Sequence, residues 1–119
     1  MLNEFTRPGD SIDNWERLVT RMFLRAPGQA EMLARITADE LKRDCPHAKV
    51  DFRRIRAGEF GVEHSHNGCG KWEGHRSIRK VINGRDGVYM ISFDMKNRAY
   101  VAAEYAAWKR RVLGAKLEG

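Results

Sequence analysis

Long apolar runs are missing from this 119-residue chain. No stretch approaches the roughly 18 to 20 apolar residues that a bilayer-spanning helix needs. The first ten residues, MLNEFTRPGD, lack the basic and apolar regions of a secretory signal. These absences exclude an integral membrane helix and predict a soluble protein. We expect a cytoplasmic location if the chain is the native full-length protein, and a periplasmic one if a signal peptide has been removed.

Motifs that frame catalytic chemistry are also missing. The chain has no nucleophile elbow, no glycine-rich phosphate loop and no paired-carboxylate motif. Cys69 is the one nucleophile candidate, and its candidate partners are His64, His66, His75, Glu63 and Glu73. Proximity in sequence does not by itself make a triad. We therefore expect a non-enzymatic protein that folds without a cofactor.

Size and composition indicate one domain covering residues 1–119. Hydrophobic residues make up 42% of the chain and charged residues 32%, which is enough apolar surface for a single core. The formal net charge is +6, and the basic excess increases toward the C-terminus. Most basic residues have acidic neighbours, a pattern more typical of an ordinary solvated surface than of a phosphate-binding stripe.

Periodic apolar residues predict two helices. The first spans 29–44 and would place Met32, Leu33, Ile36 and Leu41 against a sheet. The second spans about 99–113, and its single apolar stripe consists of Val101, Tyr105, Trp108 and Val112. We expect Tyr105 and Trp108 to anchor this helix in the core.

Strand-like segments occur between the predicted helices, at 49–55, 60–66, 77–82 and 88–93. Asn83-Gly84 at the start of the loop between the last two favours a β-hairpin. Residues 15–24 fit either a helix or a strand, because their apolar spacing is helical while their β-branched and aromatic content suits a sheet. The predicted fold is α+β, with an antiparallel sheet of four or five strands packed against two main helices.

The two cysteines leave three alternatives open. Cys45 and Cys69 are either free core thiols, a disulfide, or metal ligands together with His64 and His66. A disulfide would close a loop of 23 intervening residues and contribute about 3 kcal/mol in an oxidising compartment. Histidines beside Gly and Ser are common in exposed loops, so we expect no bound metal.

Basic residues around one tryptophan suggest a binding surface, because Trp and Arg are enriched at interaction hot spots. Trp72 lies in a glycine-bounded segment without a periodic apolar pattern to bury it. The predicted contact residues are Arg53, Arg54, Arg56, Trp72, Arg76, Arg79, Lys80 and Arg85. The same residues would serve a nucleic-acid-binding module, with Trp72 stacking on a base, although the chain has no RNP, KH or helix-turn-helix signature.

Short motifs spread along most of the chain carry a family resemblance. They are residues 8–11, 14–15 and 18–20, Cys45-Pro46, Cys69, Lys71-x-Glu73, and 80–89 in the pattern KVIxGxDGxY. With these motifs the chain resembles a set of small bacterial exported proteins that are largely uncharacterised and often lipoprotein-like. The resemblance implies an α+β sandwich in which 15–24 is a strand, and a Cys45–Cys69 bridge in the periplasm. It implies no active site.

The function expected from these patterns is binding. We expect a small accessory protein that docks on a larger protein partner, either encoded by a phage or mobile element or belonging to an envelope assembly. A nucleic-acid-binding module and a small zinc-binding domain are the alternatives. Strong salt dependence of polyanion binding would identify the first, and metal in the purified protein would identify the second.

Overall fold

The computed structural model describes residues 2–6 and 15–117, and these form a sheet with two helices. The elements are β1 Leu2–Thr6, β2 Arg17–Leu24, α1 Ala30–Asp44, β3 Lys49–Arg56, β4 Glu59–Cys69, β5 Trp72–Asn83, β6 Val88–Lys96, a 3₁₀ turn Asn97–Ala99, and α2 Ala102–Leu113. Residues 8–11 and 14 of the resemblance motifs lie outside the described residues. Neither helix in the described ranges is long and apolar enough to cross a membrane.

The sheet is antiparallel and has the order β1-β2-β6-β5-β4-β3. Strands β3 to β6 form a meander, because each apolar run is joined to the next by a short turn. The predicted hairpin at Asn83-Gly84 is confirmed, with Asn83 opposite Val88. Strand β2 lies next to β6, and helix α1 connects β2 to β3 at the far edge of the sheet.

The predicted number of strands was wrong, since the described residues form six rather than four or five. The additional strand is β1, with the sequence Leu-Asn-Glu-Phe-Thr. It pairs only with β2 and therefore lies at an edge of the sheet. Five residues with few β-branched side chains carry little strand signal of their own, so pairing with β2 decides their conformation.

The ambiguous segment 15–24 contains a strand, β2, that pairs with β1 on one side and β6 on the other. Its helix-like spacing has a simple cause. Leu18 and Met22 point to one sheet face and Val19 and Phe23 to the other, since successive strand residues alternate. Because both faces are partly buried, apolar residues occur in two neighbouring pairs, 18–19 and 22–23. The pairs are four residues apart, a spacing that also fits a helical stripe.

The first helix is confirmed, but its predicted buried side was partly wrong. Met32 and Ile36 are 50% and 43% exposed, whereas three alanines, Ala30, Ala34 and Ala38, are buried. These alanines face Phe60, Val62, Val81 and Val88 of the sheet. Small side chains at this spacing let the helix backbone approach the sheet closely, so the larger apolar residues are displaced toward its flanks.

The C-terminal helix packs on the opposite sheet face, against β5 and β6. Tyr105 and Val112 of the predicted stripe are buried, and the Trp108 ring stacks on Phe93 with ring centroids 4.9 Å apart. Val101 precedes the helix and is 49% exposed, so it does not belong to the buried stripe.

A disulfide joins Cys45 to Cys69, with the two Cα atoms 5.8 Å apart. Cys45 ends α1, and Cys69 is the last residue of β4. The bond therefore ties the end of the helix to the tip of the β4–β5 hairpin. Of the three alternatives for the cysteines, the structure contains the disulfide.

Replacing Trp108 with alanine should lower the free energy of unfolding by about 2 to 3 kcal/mol, because a partly buried ring stacked on Phe93 is removed. Urea denaturation followed by circular dichroism measures the loss. Trp72→Ala is the matched control and should change stability by less than about 0.5 kcal/mol, since its ring is exposed. Equal effects of the two substitutions would contradict this packing.

Removing the disulfide in a Cys45→Ser, Cys69→Ser double variant should lower the free energy of unfolding by about 3 kcal/mol, because the unfolded chain regains loop entropy. Urea denaturation of the oxidised parent, the reduced parent and the variant measures this difference. The reduced parent and the variant should agree. A midpoint unchanged by reduction would contradict a stabilising crosslink.

Candidate functional site

Three histidines converge on the sheet face that α1 partly covers. His64 and His66 are two residues apart on β4, so both point to this face, as the sequence predicted for a strand at this position. His75 of β5 pairs directly with His66, and His64 pairs with Ser77. The register between the two strands therefore brings the third ring beside the first two. We call His64, His66 and His75 the imidazole cluster.

The rings of the imidazole cluster are close together and mutually oriented. Nε2 of His64 lies 3.3 Å from Nε2 of His75. The His64 and His66 rings are nearly parallel, at 5°, and the His75 ring stands almost perpendicular to both. One ring nitrogen from each residue lies within 4.8 Å of the others. Three ring nitrogens thus lie close to one another.

Burial favours the neutral form of His64 and His66. It lowers the pKa of His64 from 6.5 to about 3, and nearby positive charges at His75, Arg79 and His66 act in the same direction. Burial, followed by the charge of His75, also lowers the pKa of His66. Neutral imidazoles keep a free nitrogen lone pair that can accept a hydrogen bond or bind a metal.

Polar side chains continue the cluster across the same face. Asp94 of β6 lies opposite Ser77, with one carboxylate oxygen 3.7 Å from Nε2 of His75. Burial raises the pKa of Asp94, while the neighbouring Ser77 hydroxyl and the charges of His75 and Arg79 oppose that rise. Burial likewise lowers the pKa of Arg79, and Asp94 opposes this. Arg79 and Asp94 thus each partly offset the effect of burial on the pKa of the other.

A cavity of about 760 Å³ opens over the cluster. The three histidines, Arg79 and Asp94 line it on the sheet side. The disulfide, the end of α1 and Trp72 line the remaining wall. The imidazole cluster is therefore accessible from solvent beside the hairpin tip.

The cysteines have no thiolate available in this structure. Both sulfurs belong to the disulfide, so Cys69 is not a nucleophile and neither cysteine is a metal ligand. Glu63, one of the suggested orienting carboxylates, lies on the opposite sheet face. There its carboxylate accepts a hydrogen bond from the Tyr105 hydroxyl at 3.0 Å and pairs with Lys109 at 2.8 Å. The suggested catalytic grouping around Cys69 is not assembled.

Two of the predicted binding residues serve the interior. Lys80 is fully buried, and its Nζ donates to the carbonyl oxygens of Leu113 and Ala115 at 2.7 and 2.6 Å. Glu59 lies 2.7 Å from the same ammonium group. Lys80 thus holds the C-terminal end of α2 against the sheet and is not available to a partner. Arg79 is largely enclosed beneath the imidazole cluster.

The remaining predicted residues do not form one surface. Arg53 pairs with Asp51 and Glu63, and its neighbour Arg54 is exposed on the other side of β3. Arg76 is half-buried, with its guanidinium 4.2 Å from the Tyr100 ring centroid. Of the other predicted contact residues, Arg56 pairs with Glu59, Arg85 is exposed in the β5–β6 loop, and Trp72 is exposed at the hairpin tip.

In the sequence, His75 stands only beyond the four candidate metal ligands, and nothing in the pattern points to Asp94. His75 is separated from His66 by a turn whose position the sequence did not define. A hairpin centred on Gly70-Lys71 would have placed His75 opposite His66, so a two-residue turn was the available signal.

The described residues define a disulfide-tied antiparallel α+β protein with a polar cluster on one sheet face. No family model matches the chain, and no curated protein matches its sequence. Among solved structures, it is similar to PA94 from Pseudomonas aeruginosa, a protein of unknown function, with a TM-score of 0.66 and 16% identity. The match covers 100% of this chain and 84% of that one. At this identity the likeness supports the fold alone.

His64 should make the metal-free protein less stable in mild acid. The unfolded chain binds a proton near pH 6.5 and the folded one only near pH 3, so lowering the pH between these values favours unfolding. The slope from this group approaches about 1.4 kcal/mol per pH unit. Urea denaturation of the parent and of His64→Gln is measured at pH 7, 6 and 5 with EDTA present. The difference between the two proteins isolates the contribution of His64 to the pH dependence of stability.

The stability gap between the parent and His64→Gln should narrow as the pH falls, since only the parent must keep a buried imidazole neutral. His47→Asn is the control, because His47 is exposed and lies outside the imidazole cluster. A gap that is constant between pH 7 and 5 would show that His64 titrates equally in both states.

Proposed function

We propose that this chain is a small, non-enzymatic accessory protein that binds a larger protein partner through the tip of the β4–β5 hairpin. The observation that carries the proposal is the exposure of Trp72. Its side chain is 66% exposed, although tryptophan is usually largely buried. A large aromatic side chain presented to solvent is the residue type most often found at the centre of binding hot spots.

A paired turn and the disulfide restrain the hairpin tip. Trp72 pairs with Cys69 across a two-residue turn, Gly70-Lys71. Gly70 has a φ of +59°, which glycine adopts at little cost, and the disulfide fixes Cys69 to the end of α1. These restraints reduce the conformational entropy that the tip loses on binding.

Charge indicates the kind of partner. The Lys71 ammonium lies 5.7 Å from the centroid of the Trp72 ring, so a cation accompanies the exposed aromatic. The whole chain carries a net charge of +6. We therefore propose a partner surface with an apolar pocket for the indole and acidic groups beside it.

The proposed contact surface is smaller than the region 53–85 expected from the sequence. Trp72 and Asn83 are the two ends of the 12-residue strand β5, which places them about 35 Å apart at 3.3 Å per residue. Arg85 lies beyond Asn83, and the turn after Arg56 is at the same end. These arginines are too far from the hairpin tip to share one compact contact with Trp72.

Ion pairing gives little support to the nucleic-acid alternative. Arg53, Arg56 and Lys109 each pair with a glutamate, and Lys80 is buried. Phosphate binding would have to compete with these carboxylates. An origin in a phage, a mobile element or an envelope assembly stays a prediction.

The proposal predicts that a photo-crosslinking amino acid at Lys71 captures a protein partner in the native host, while the same amino acid at Arg85 does not. With the captured partner purified, Trp72→Ala should weaken its affinity at least tenfold, since one hot-spot tryptophan typically contributes more than about 2 kcal/mol. Isothermal titration calorimetry measures both affinities.

Arg85→Ala is the control because it removes an exposed charge at the other end of the sheet, and it should retain the parental affinity. Both variants should keep the parental melting temperature. Normal binding by Trp72→Ala would overturn the proposed contact. Capture of nucleic acid alone, with salt-sensitive affinity, would instead favour the nucleic-acid alternative.

A further inference from the structure

We propose that His64, His66 and His75 together bind one divalent transition-metal ion of the type that imidazole prefers, with Zn²⁺ as the reference ion. The proposal is independent of the docking function. It replaces the sequence-based expectation that no metal is bound, and it differs from the earlier alternative because Cys45 and Cys69 are replaced by His75.

The distances suit a metal with imidazole ligands. Two ligand nitrogens in a tetrahedral zinc site are about 3.3 Å apart, given Zn–N distances of 2.0–2.1 Å. Nε2 of His64 and Nε2 of His75 are already 3.3 Å apart, and the ligand atoms of all three residues lie within 4.8 Å of one another. The set is complete when the third nitrogen, that of His66, closes to the same spacing.

Hydrogen bonding within the cluster accounts for the close approach of only two of its three rings. His64 and His75 can share one hydrogen bond, with one Nε2 donating and the other accepting. Nδ1 of His66 accepts a hydrogen bond from the Gly68 amide, which does not require the ring to lie beside the other two. The strand register places the three rings side by side, and the hydrogen bonds described leave the cluster able to share an ion.

The paired strands hold the three histidines in position before an ion binds. His64 and His66 lie on β4 and His75 on β5, and these strands are continuously paired through this region. The disulfide anchors the adjoining hairpin tip to α1. Ligands held on a paired sheet require little ordering when an ion binds, unlike ligands on a mobile loop.

Neighbouring groups provide charge balance and access. Asp94 has a carboxyl oxygen 3.7 Å from Nε2 of His75, and its ionised form would offset part of the positive charge of a bound cation and of Arg79. The cavity of about 760 Å³ gives an entry path and space for a water molecule or another exogenous ligand. Three protein ligands with a fourth position open to solvent are typical of zinc sites that bind further ligands.

The donor set selects the class of ion. Nitrogen donors suit Zn²⁺, Cu²⁺ and Ni²⁺, whereas Mg²⁺ and Ca²⁺ prefer oxygen ligands. We therefore expect no measurable Mg²⁺ binding at the imidazole cluster.

The test uses the oxidised full chain after EDTA treatment and dialysis, titrated with ZnCl₂ by isothermal titration calorimetry at pH 7.5. We expect one Zn²⁺ per chain and no heat of binding with MgCl₂. His66→Asn and His75→Asn should each weaken Zn²⁺ binding at least tenfold. These two residues are only partly buried, so their replacement should preserve the fold, which circular dichroism checks.

His47→Asn is the matched control, because it removes the one histidine outside the cluster and should bind Zn²⁺ like the parent. A nitrogen-detected histidine NMR spectrum provides the second measurement, in which Zn²⁺ should shift the ring signals of His64, His66 and His75 but not those of His47. Absence of stoichiometric binding, or parental binding by both cluster variants, would overturn the site. Equal loss in His47→Asn would place the ion elsewhere and also overturn it.

Discussion

The register of β4 against β5 is the constraint on which the rest of the structure depends. It pairs His66 with His75 and His64 with Ser77 on one face. On the other face it aligns Glu63 with Ile78. Lys80 lies on that same face of β5, and its ammonium group reaches the end of α2. A slip of one residue would exchange the two faces, exposing apolar side chains and burying charges without partners.

The two sheet faces bury different kinds of side chains. On the α2 face, Ile78, Phe93, Met95, Tyr105 and Val112 form a largely apolar core. On the α1 face, alanines allow close packing near one end of the sheet, and beyond them the interior becomes polar. Buried polar groups are costly unless they are partnered, and titratable groups perturbed by burial cluster at functional sites.

Trp72 and the imidazole cluster line the same cavity, and the disulfide lies between the end of α1 and the hairpin that carries Trp72. One covalent bond therefore supports both proposed sites. They remain experimentally separable because Trp72 has an aromatic side chain with no metal-binding nitrogen lone pair, whereas the histidines lie on the paired part of the strands.

By itself the sequence determined both helices, the four meander strands and the hairpin at Asn83-Gly84, because their periodicity and turn chemistry are local. It also showed that His64 and His66 share a strand face. Only the tertiary structure decided that 17–24 is a strand, that β1 exists, and that His75 joins the other two histidines, because those depend on pairing partners distant in the chain. The exposure of Trp72 agrees with the absence of a periodic apolar pattern around it, whereas the burial of Lys80 was decided by packing against the end of α2.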